Sequence, residues 1–275
     1  MSYRYVWIDE ENREGFSGVL PENLRLTSNR IAFGVTEEDG TALGALSCVY
    51  LNYQYNLDWI YVEPEKRRQW IGTRLLDQLI QTLEKSGEVF PLSAEFAFSP
   101  EDSLLHSFFL SQNRMQVSFS HERYVIHTED IRSSGMLSGG KLPKGVDVSP
   151  FFSLPGPEQR RILENLAKDQ AYSVSDYGAW KEVCVLPLCL ICHIKEKAVG
   201  GLFTRETEKG ALTLSYLWSE VPSALSLLLV KAAGILESEF PESSLTFDAY
   251  SEEAEKMAGR YFKGAKKIHI YEAMY

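Results

Sequence analysis

The sequence predicts an α+β protein of two tandem domains, each a mixed, mostly antiparallel twisted sheet flanked by helices. A chain of 275 residues is long for one domain and comfortable for two of about 140 residues, each able to bury its own core. Residues 135–145, with a Gly-Gly pair, a serine and a proline, are typical of a linker and place the domains at residues 1–134 and 146–275. Segments also recur between the halves, because residues 42–46 (ALGAL) resemble residues 198–202 (AVGGL) at an offset of 156 residues (198 − 42).

The predicted elements of the first domain are short strands and two helices. Asp39-Gly40 indicates a hairpin turn between the second and third strands. Gly87 ends the long first helix, and Ser99 is a predicted N-cap of the second helix, which Asn113 ends. In order, we expect strands at residues 3–7, 30–35, 43–51 and 53–62, a helix at 68–85, a strand at 92–98, a helix at 99–112 and a strand or hairpin at 116–127, with helix or loop at 10–24.

The same order of elements returns in the second domain. The N-cap serine of the first domain recurs as Ser251, 152 residues after Ser99 (251 − 99), so the two halves look like one duplicated unit. The predicted elements are a helix at residues 158–170, strands at 182–194, 198–205 and 212–218, a helix at 222–239, a strand at 245–250, a helix at 251–262 and a strand at 267–275.

The charge distribution favours an anionic cofactor that meets a cationic substrate. The formal net charge of −10 argues against a nucleic-acid partner. Residues 1–140 carry 12 basic and 20 acidic residues, and within them Lys66, Arg67, Arg68 and Arg74 form the one dense basic cluster. A basic spot on an acidic body suits a phosphate-bearing cofactor and an amine. The acidity can equally well serve solubility alone.

The sequence contains no segment that predicts membrane attachment or export. No stretch approaches the roughly 18 apolar residues that a membrane span needs. The acidic residues near the N-terminus do not resemble a secretory signal. We therefore expect a cytoplasmic protein without a membrane partner.

The cysteines predict a structural role. Cys189 and Cys192 have the spacing of a zinc or redox pair, but they lie in a predicted strand, where residues three apart point to opposite faces. His193 has no second histidine or acidic residue at ligand spacing. We therefore expect buried, reduced thiols and no metal site.

The stretch from Asp58 to Leu83 predicts a phosphate-binding site. It begins as a strand, breaks at Val62-Glu63-Pro64, passes through the basic residues 66–69 and enters a helix at Ile71-Gly72-Thr73. Unpaired N–H groups and the helix dipole make a helix N-terminus a binding site for anions. Gly72 would let a ligand approach the backbone closely.

This stretch resembles motif A of the GNAT N-acetyltransferase superfamily. In that motif a strand ending in Val-x-Pro leads into a loop of Arg or Gln, two residues, Gly, one residue, and Gly or Ala. Arg67, Trp70 and Gly72 fall on these positions, so a tryptophan replaces the first glycine. The order of elements in both halves is also similar to the GNAT order. The alternative interpretation is an ordinary strand-to-helix turn with a solvated basic patch.

The resemblance implies that acetyl-CoA is the co-substrate and that the loop binds its pyrophosphate. In the second domain Ser219-Glu220-Val221-Pro222-Ser223 stands in place of the basic loop. An acidic residue would repel a phosphate and a proline removes an N–H group, so we expect that domain to be degenerate. The implied cofactor-binding residues are Ile60, Tyr61, Val62, Arg67, Arg68, Gln69, Trp70, Ile71, Gly72 and Thr73.

The resemblance further implies a general base on the strand before the loop. Alternate residues from 56 to 62 share one face of a regular strand, and Asp58 is the carboxylate among them. Asp58 is therefore the candidate catalytic residue, and Glu63 and Glu95 are in reserve. The alternative for Asp58 is a carboxylate bonded to a neighbouring backbone group.

The general acid is less evident from the sequence. The family usually places a tyrosine four residues before a glycine near the end of the second helix. Counting back from Asn113 reaches Phe109, whose ring has no proton to give. Three alternatives follow: the thiolate leaves unassisted, Tyr124 or another phenol substitutes, or the domain does not catalyse. In the second domain Tyr261 has nearly the right spacing but lacks a cofactor loop.

Two classes of function follow from the resemblance. The leading hypothesis is an acyl-CoA-dependent N-acyltransferase, in the simplest case an N-acetyltransferase, that acts on a small amine while the second domain shapes the acceptor cleft. The alternative is a non-catalytic acyl-CoA-binding or interaction protein of the same fold. Because the tandem order also resembles mycothiol synthase, a small thiol-glycoside acceptor is a lesser option. A homodimer is left open.

Overall fold

The computed structural model describes residues 3–51, 53–87, 91–100, 103–127, 145–168, 174, 176–206 and 211–275. The chain divides into two compact units. The first unit comprises residues 1–120 together with the C-terminal residues 269–275, and the second comprises residues 121–268. Each unit has the α+β architecture expected from the sequence, a mixed, mostly antiparallel sheet flanked by helices.

The strands and helices follow the order that the sequence predicts. The strands are β1 (Arg4–Trp7), β2 (Arg30–Thr36), β3 (Ala42–Leu51), β4 (Gln54–Val62), β5 (Leu92–Phe98), β6 (Gln116–His127), β7 (Val146–Pro150), β8 (Leu190–Ile194), β9 (Lys197–Glu206), β10 (Leu212–Ser219), β11 (Ser244–Ala249) and β12 (Lys266–Met274). The α-helices are α1 (Ile71–Ser86), α2 (Leu104–Leu110), α3 (Gly156–Lys168), α4 (Tyr177–Val183), α5 (Pro222–Glu239) and α6 (Glu252–Tyr261).

The sheet of the first unit has the strand order β1-β2-β3-β4-β5-β12. Strands β1 to β4 form an antiparallel meander. Strands β4 and β5 run parallel, and within the described residues they pair at Tyr55–Leu92 and Asn56–Ser93 alone. Beyond that point β5 pairs on its other side with residues 269–274 of β12. A gap therefore separates the C-terminal halves of β4 and β5.

Helix α1 covers one face of this sheet. Its buried residues recur every three or four positions, which is the pattern of an amphipathic helix. The helix ends at Gly87, whose φ of 74° is the left-handed cap conformation expected from the sequence. The opposite face of β2, β3 and β4 is covered by a smaller apolar cluster that includes Phe16, Val19 and Leu20 from the segment after β1.

The sheet of the second unit has the order β6-β11-β10-β9-β8-β7, in which β6 contributes residues 121–127. Strands β10 and β11 are parallel and pair from Leu212–Leu245 to Leu214–Phe247, where their pairing ends. Helices α5 and α6 supply buried residues to the core on one face, and α3 packs into the core on the other. The arrangement around β10 and β11 therefore repeats the arrangement around β4 and β5.

Two irregularities of strand pairing recur between the units at the offset found in the sequence. The β2–β3 register skips Leu43, and the β8–β9 register skips Val199, which lies 156 residues later (199 − 43). The β3–β4 register skips Asp58, and the β9–β10 register skips Ser215, 157 residues later (215 − 58). Bulges are specific local features of a sheet, so their repetition identifies the units as structural repeats.

Several predicted elements differ from the structure. Helix α2 begins at Leu104 with Ser103 at its N-cap, so the prediction of Ser99 as N-cap is wrong. Residues 182–194 are not one strand, because they form the end of α4, a short turn at Leu186–Leu188 and β8. Pro187 explains this difference, since proline lacks the N–H group that a central strand requires. Strand β7 and helix α4 were not predicted.

The compact units also differ from the predicted domains at two strands. The division at residues 134 and 146 assigned β6 to the first domain and β12 to the second. In the structure residues 121–127 pair with β11 in the second unit, and residues 269–274 pair with β5 in the first. Each strand therefore belongs to the unit whose sheet it extends. Residues 135–144 of the predicted linker lie outside the described residues.

Candidate functional site

The candidate site lies where β4 ends and α1 begins. After β4 the residues Pro64–Lys66 form a single 3-10 turn, and the chain reaches α1 through residues 67–70. Arg68 and Trp70 both have a φ of 64°, a left-handed conformation that costs a non-glycine residue about 1 kcal/mol. Trp70 thus keeps a backbone conformation suited to the glycine of motif A, and its side chain is 72% exposed. The indole points to solvent and does not fill the loop.

The loop leaves a run of backbone N–H groups without an acceptor. Within the described residues, the first N–H group of α1 to meet a carbonyl is that of Arg74, 3.0 Å from the oxygen of Trp70. The preceding N–H groups, those of residues 68–73, have no backbone acceptor there, and no side chain caps the helix. The partial positive charge of the helix dipole lies at the same point. This arrangement can bind an anion such as a pyrophosphate.

Two of the three basic residues before α1 remain available to an anion. Lys66 forms an ion pair with Glu37, and its hydrogen bond to that carboxylate raises the pKa of Lys66. Arg67 donates from Nε to the carbonyl oxygen of Val62 at 3.0 Å, which leaves its two terminal nitrogens exposed. Arg68 is exposed and has no ion-pair partner among the described residues. The loop therefore presents two guanidinium groups beside its N–H groups.

Gly72 lies in the first turn of α1 against another helix. A Cβ atom on Gly72 would lie 3.2 Å from Cε2 of Phe108 and 3.7 Å from Cγ2 of Val62. The space that a side chain would need is thus filled by the ring of a residue on α2. The glycine lets α1 approach α2 and β4 closely, in contrast to the predicted approach of a ligand to this residue.

The other predicted cofactor-binding residues also lie at this junction. The Oε1 atom of Gln69 accepts a hydrogen bond from the hydroxyl of Tyr3 at 2.5 Å, and Ile71 is buried, so its N–H group alone can face a ligand. The ring of Tyr61 lies 5.9 Å from the guanidinium carbon of Arg67. All the predicted residues lie at the end of β4, in the loop or in the first turn of α1: Ile60, Tyr61, Val62, Arg67, Arg68, Gln69, Trp70, Ile71, Gly72 and Thr73.

The gap between β4 and β5 adjoins this loop. In the described part of the chain, residues 57 and 59–62 of β4 pair with β3 on one side, and residues 57–62 pair with no strand on the other. Two parallel strands end at the same edge of a sheet, so the gap opens toward the N-terminus of α1. An extended ligand group bound at the loop can enter the gap and meet the backbone of β4.

Asp58 lies at a β-bulge in β4, and the bulge determines which face of the sheet its side chain lies on. Because the bulge shifts the alternation of β4, Ile60 and Val62 face the core beneath α1, whereas Asp58 faces the other side. The prediction that these three residues share one face is therefore wrong. The carboxylate of Asp58 accepts a hydrogen bond from the buried side chain of Arg30, which also donates to Oγ of Ser47 at 2.6 Å.

The reserve carboxylates occupy different positions. Glu63 follows β4, and its Oε2 atom lies 3.5 Å from the hydroxyl of Tyr61. Glu95 is exposed on β5 and is directly opposite Glu272 of β12. Glu95 shares the face of Ser93, whose Oγ lies 3.4 Å from Oδ1 of Asn56 on β4. Two carboxylates opposite each other in a sheet repel one another, so this open side of the gap favours a cation.

Aromatic side chains occupy the place expected for a general acid. Phe109 is buried and stacks on Phe96 with 5.2 Å between the ring centroids. Phe108, its neighbour, is the residue of α2 that packs against Gly72. Tyr124, the predicted substitute, is buried in the apolar core of the second unit. Neither phenylalanine can donate a proton, and the phenol of Tyr124 belongs to a different core.

The second unit lacks an equivalent loop. The two residues Glu220 and Val221 connect β10 to α5, whereas residues 63–70 connect β4 to α1. Pro222 is the first residue of α5, and Glu220 forms an ion pair with Lys197 at 2.7 Å. The hydroxyl of Tyr261 is bonded to Ser226 in α5 at 2.7 Å. A shorter connection with an acidic residue and a missing N–H group gives no cradle for a phosphate.

Three residues of the site could not be recognised from the sequence. Arg30, the partner of Asp58, lies 28 residues earlier, and Phe108 reaches Gly72 from another helix. Glu272 becomes a neighbour of Glu95 through the C-terminal strand. The one available signal was Arg30, since a cation at the start of a largely apolar strand requires a partner.

The described residues contain neither a candidate metal-binding cluster nor a candidate membrane-spanning helix. Among the described residues no three His, Cys, Asp or Glu side chains form a group that could hold a metal ion. Burial raises the pKa of Cys48, which lies near Asp58, to about 12, so this thiol is not a nucleophile near neutral pH. In the described part of the chain, no helix has both the length and the apolar character required to cross a membrane.

Comparisons with known proteins agree with this architecture. Residues 2–91 match the acetyltransferase (GNAT) family. A tandem GNAT protein from the clavulanic acid biosynthesis pathway, solved without AcCoA, superposes with a TM-score of 0.69 at 13% identity, over 99% of this chain and 98% of that one. A GCN5-related N-acetyltransferase from Sphaerobacter thermophilus superposes with a TM-score of 0.60 at 16% identity, over 96% of this chain and 84% of that one.

A comparison with curated protein sequences gives no match. At identities this low the solved structures establish a common fold and nothing further. The family match covers the loop, the gap-lining half of β4 and helix α1. Residues 2–91 therefore match the acetyltransferase (GNAT) family, and the chain as a whole shares the fold of a tandem GNAT protein.

Proposed function

We propose that the first unit transfers an acyl group, in the simplest case acetyl, from coenzyme A to the amine of a small molecule. The observation that carries this proposal is the loop before α1. Its N–H groups from residue 68 to residue 73 have no acceptor in the described structure, and beside them lie the guanidinium groups of Arg67 and Arg68, neither of which forms an ion pair there. The match of residues 2–91 to the acetyltransferase (GNAT) family supports the same chemistry.

In the proposed complex the backbone binds most of the cofactor. The pyrophosphate lies on the N–H groups of the loop, and Arg67 and Arg68 add charge-assisted hydrogen bonds. Because the loop directly follows β4, the arm that carries the thioester enters the gap between β4 and β5. Backbone groups of residues 60–62 then lie beside the thioester, where an N–H group can stabilise the oxyanion that forms during attack.

The open side of the gap supports an amine as the acceptor. Glu95 and Glu272 are directly opposite each other, and neither forms an ion pair within the described residues. At the corresponding place in the second unit, Asp248 is opposite Arg123 and is bonded to it at 2.5 and 2.9 Å. The repeat in the second unit thus neutralises its carboxylate internally, whereas the first unit leaves two carboxylates that a cationic amine can approach.

Asp58 is the general base that we propose, and Glu95 is the competing candidate. Asp58 uses Oδ2 for Arg30, so Oδ1 can accept the proton of the amine directly or through water. If Asp58 is the base, Asp58→Asn should lower turnover by roughly a hundredfold at nearly unchanged affinity for acetyl-CoA. Arg30→Met removes the same ion pair and leaves the carboxylate in place. A loss of turnover in both variants to the same extent would make Asp58 structural, and a loss in Glu95→Gln alone would assign the base to Glu95.

One observation favours the second candidate, a non-catalytic acyl-CoA-binding protein. The helix that would supply a general acid presents Phe108 and Phe109, neither of which can protonate the leaving thiolate. A thiolate can leave without this assistance, but the step is then slower. The two candidates therefore differ in turnover and agree in cofactor binding.

Acetyl-CoA-dependent release of free thiol with a panel of small amines tests the proposal on the full chain. We expect thiol release that depends on the amine, with monoamines, diamines and aminosugars compared at equal concentration. Binding of acetyl-CoA without thiol release for any amine would select the non-catalytic candidate. If the protein neither binds acetyl-CoA nor releases thiol, both candidate functions are refuted.

A further inference from the structure

Two of the four cysteines are neighbours across a short turn in the second unit. Cys184 follows α4, Cys189 precedes β8, and the turn Leu186–Leu188 lies between them. Cys184 forms a β-bridge with Arg205 of β9, and the thiol of Cys189 donates to the carbonyl oxygen of Thr204, the residue before Arg205, at 3.5 Å. The two cysteines are therefore anchored to adjacent residues of one strand.

The two thiols are in contact and have different surroundings. The contact between the two thiols lowers the pKa of Cys184, and the charge of Arg205 acts in the same direction. The same contact raises the pKa of Cys189, which is completely buried. Cys184 is half-buried, so part of this residue is exposed.

The other two cysteines provide a contrast. Cys48 and Cys192 are completely buried, and desolvation raises the pKa of each. Cys192 packs in a different core from Cys189, on the opposite face of β8, as the strand alternation predicted. The sequence directed attention to the pair Cys189 and Cys192, whereas the contact in the structure joins Cys189 to Cys184.

We propose that Cys184 is an oxidation site and that Cys189 resolves it by forming a disulfide. A partly exposed thiol near a basic residue and beside a second, buried thiol is the arrangement found in redox-sensitive cysteines. The oxidant is hydrogen peroxide or another hydroperoxide. This site is distinct from the loop before α1 and does not depend on acyl transfer.

The chemistry balances with peroxide as the oxidant. The thiolate of Cys184 attacks one peroxide oxygen, the O–O bond breaks, and the hydroxide that leaves takes a proton to become water. Cys184 is then a sulfenic acid. The sulfur of Cys189 loses its proton and attacks the sulfur of Cys184, the S–O bond breaks, and a second water leaves. Two thiols have lost two electrons and two protons to one peroxide, and one S–S bond has formed.

Thiol counting and peptide mass spectrometry on the full chain test this site. The reduced protein should have four reactive thiols after unfolding, and protein treated with one equivalent of hydrogen peroxide should have two. We expect a linked peptide that joins Cys184 to Cys189, and dithiothreitol should restore both thiols. A link that joins any other pair, or no link, would overturn the proposal.

Variants separate the two roles. Cys184→Ser should keep its three remaining thiols when treated with one equivalent of hydrogen peroxide. Cys189→Ser should accumulate a sulfenic acid at Cys184, which dimedone traps. Cys192→Ser is the matched control and should form the Cys184–Cys189 disulfide as the wild type does. If a variant fails to fold, alkylation of the native wild type answers the question. Iodoacetamide should modify Cys184 at least about tenfold faster than Cys48 or Cys192. Equal rates at the three positions would contradict the proposal.

Discussion

Replacing Gly72 by valine tests how α1 is held beside the loop. A Cβ atom at this position would already lie 3.2 Å from Cε2 and 3.6 Å from Cζ of Phe108, and 3.7 Å from Cγ2 of Val62. The two methyl groups of valine would extend farther toward the ring. Overpacking of this kind costs about 1–3 kcal/mol, whereas the better helix propensity of valine over glycine returns less than about 1 kcal/mol. We therefore expect a net decrease in the free energy of unfolding.

Urea unfolding of the variant and of two companions isolates this contact. Phe108→Ala removes the ring, so adding Gly72→Val to it should cost at least about 0.5 kcal/mol less than adding Gly72→Val to the wild type. Gly234→Val is the matched control, because Gly234 lies in helix α5 with nothing within 4 Å of its missing Cβ. That substitution should be neutral or slightly stabilising. Equal losses at Gly72 and Gly234, or additive effects of Gly72→Val and Phe108→Ala, would refute the packing argument.

Three further outcomes follow from the site and its surroundings. Trp70→Gly should raise the free energy of unfolding by up to about 1 kcal/mol, because glycine tolerates a φ of 64° and little packing is lost; a clear decrease would show that the indole packs. Arg68→Ala should weaken acetyl-CoA binding at low salt, and the difference from wild type should shrink as salt is added; a salt-independent loss would count against an electrostatic role. Hydrogen bonds from Tyr275 and Arg114 lower the pKa of Glu84 in the folded protein. The ionised Glu84 therefore stabilises the folded state above its unfolded-state pKa, and this stabilisation is lost as the pH falls through the folded-state pKa. In Glu84→Gln the free energy of unfolding should therefore decrease less as the pH is lowered than it does in the wild type. An unchanged dependence on pH would exclude a role of Glu84 in acid stability.

Most strands and the long helices could be predicted because local patterns determine them. The predicted ranges of β5, β6 and α5 coincide with the observed residues. Gly87 ends α1 in the left-handed conformation that its residue type favours. The prediction for residues 182–189 was wrong because their apolar composition suggested a strand, although Pro187 argued against one.

The features that could not be predicted depend on contacts between distant segments. The bulge at Asp58 arises from the hydrogen-bond register of β4 against β3. A prediction that assumes strict alternation of side chains along the strand therefore cannot detect it. Pairing of the C-terminal strand with β5 is a choice of partner across more than half the chain, and no local pattern specifies it. The position of the loop between β4 and α1 was predictable because consecutive residues determine it. Its surroundings, including Arg30 and Phe108, were not.

Titration of acetyl-CoA into the full chain by isothermal calorimetry tests the central claim most directly. We predict one binding site per chain, because the first unit has the loop and the second has a two-residue connection in its place. Arg67→Ala combined with Arg68→Ala should weaken binding by about tenfold or more. Arg160→Ala combined with Arg161→Ala on α3 is the matched control and should bind as the wild type does. No binding, two sites per chain, or equal affinities of the loop and control variants would contradict the account.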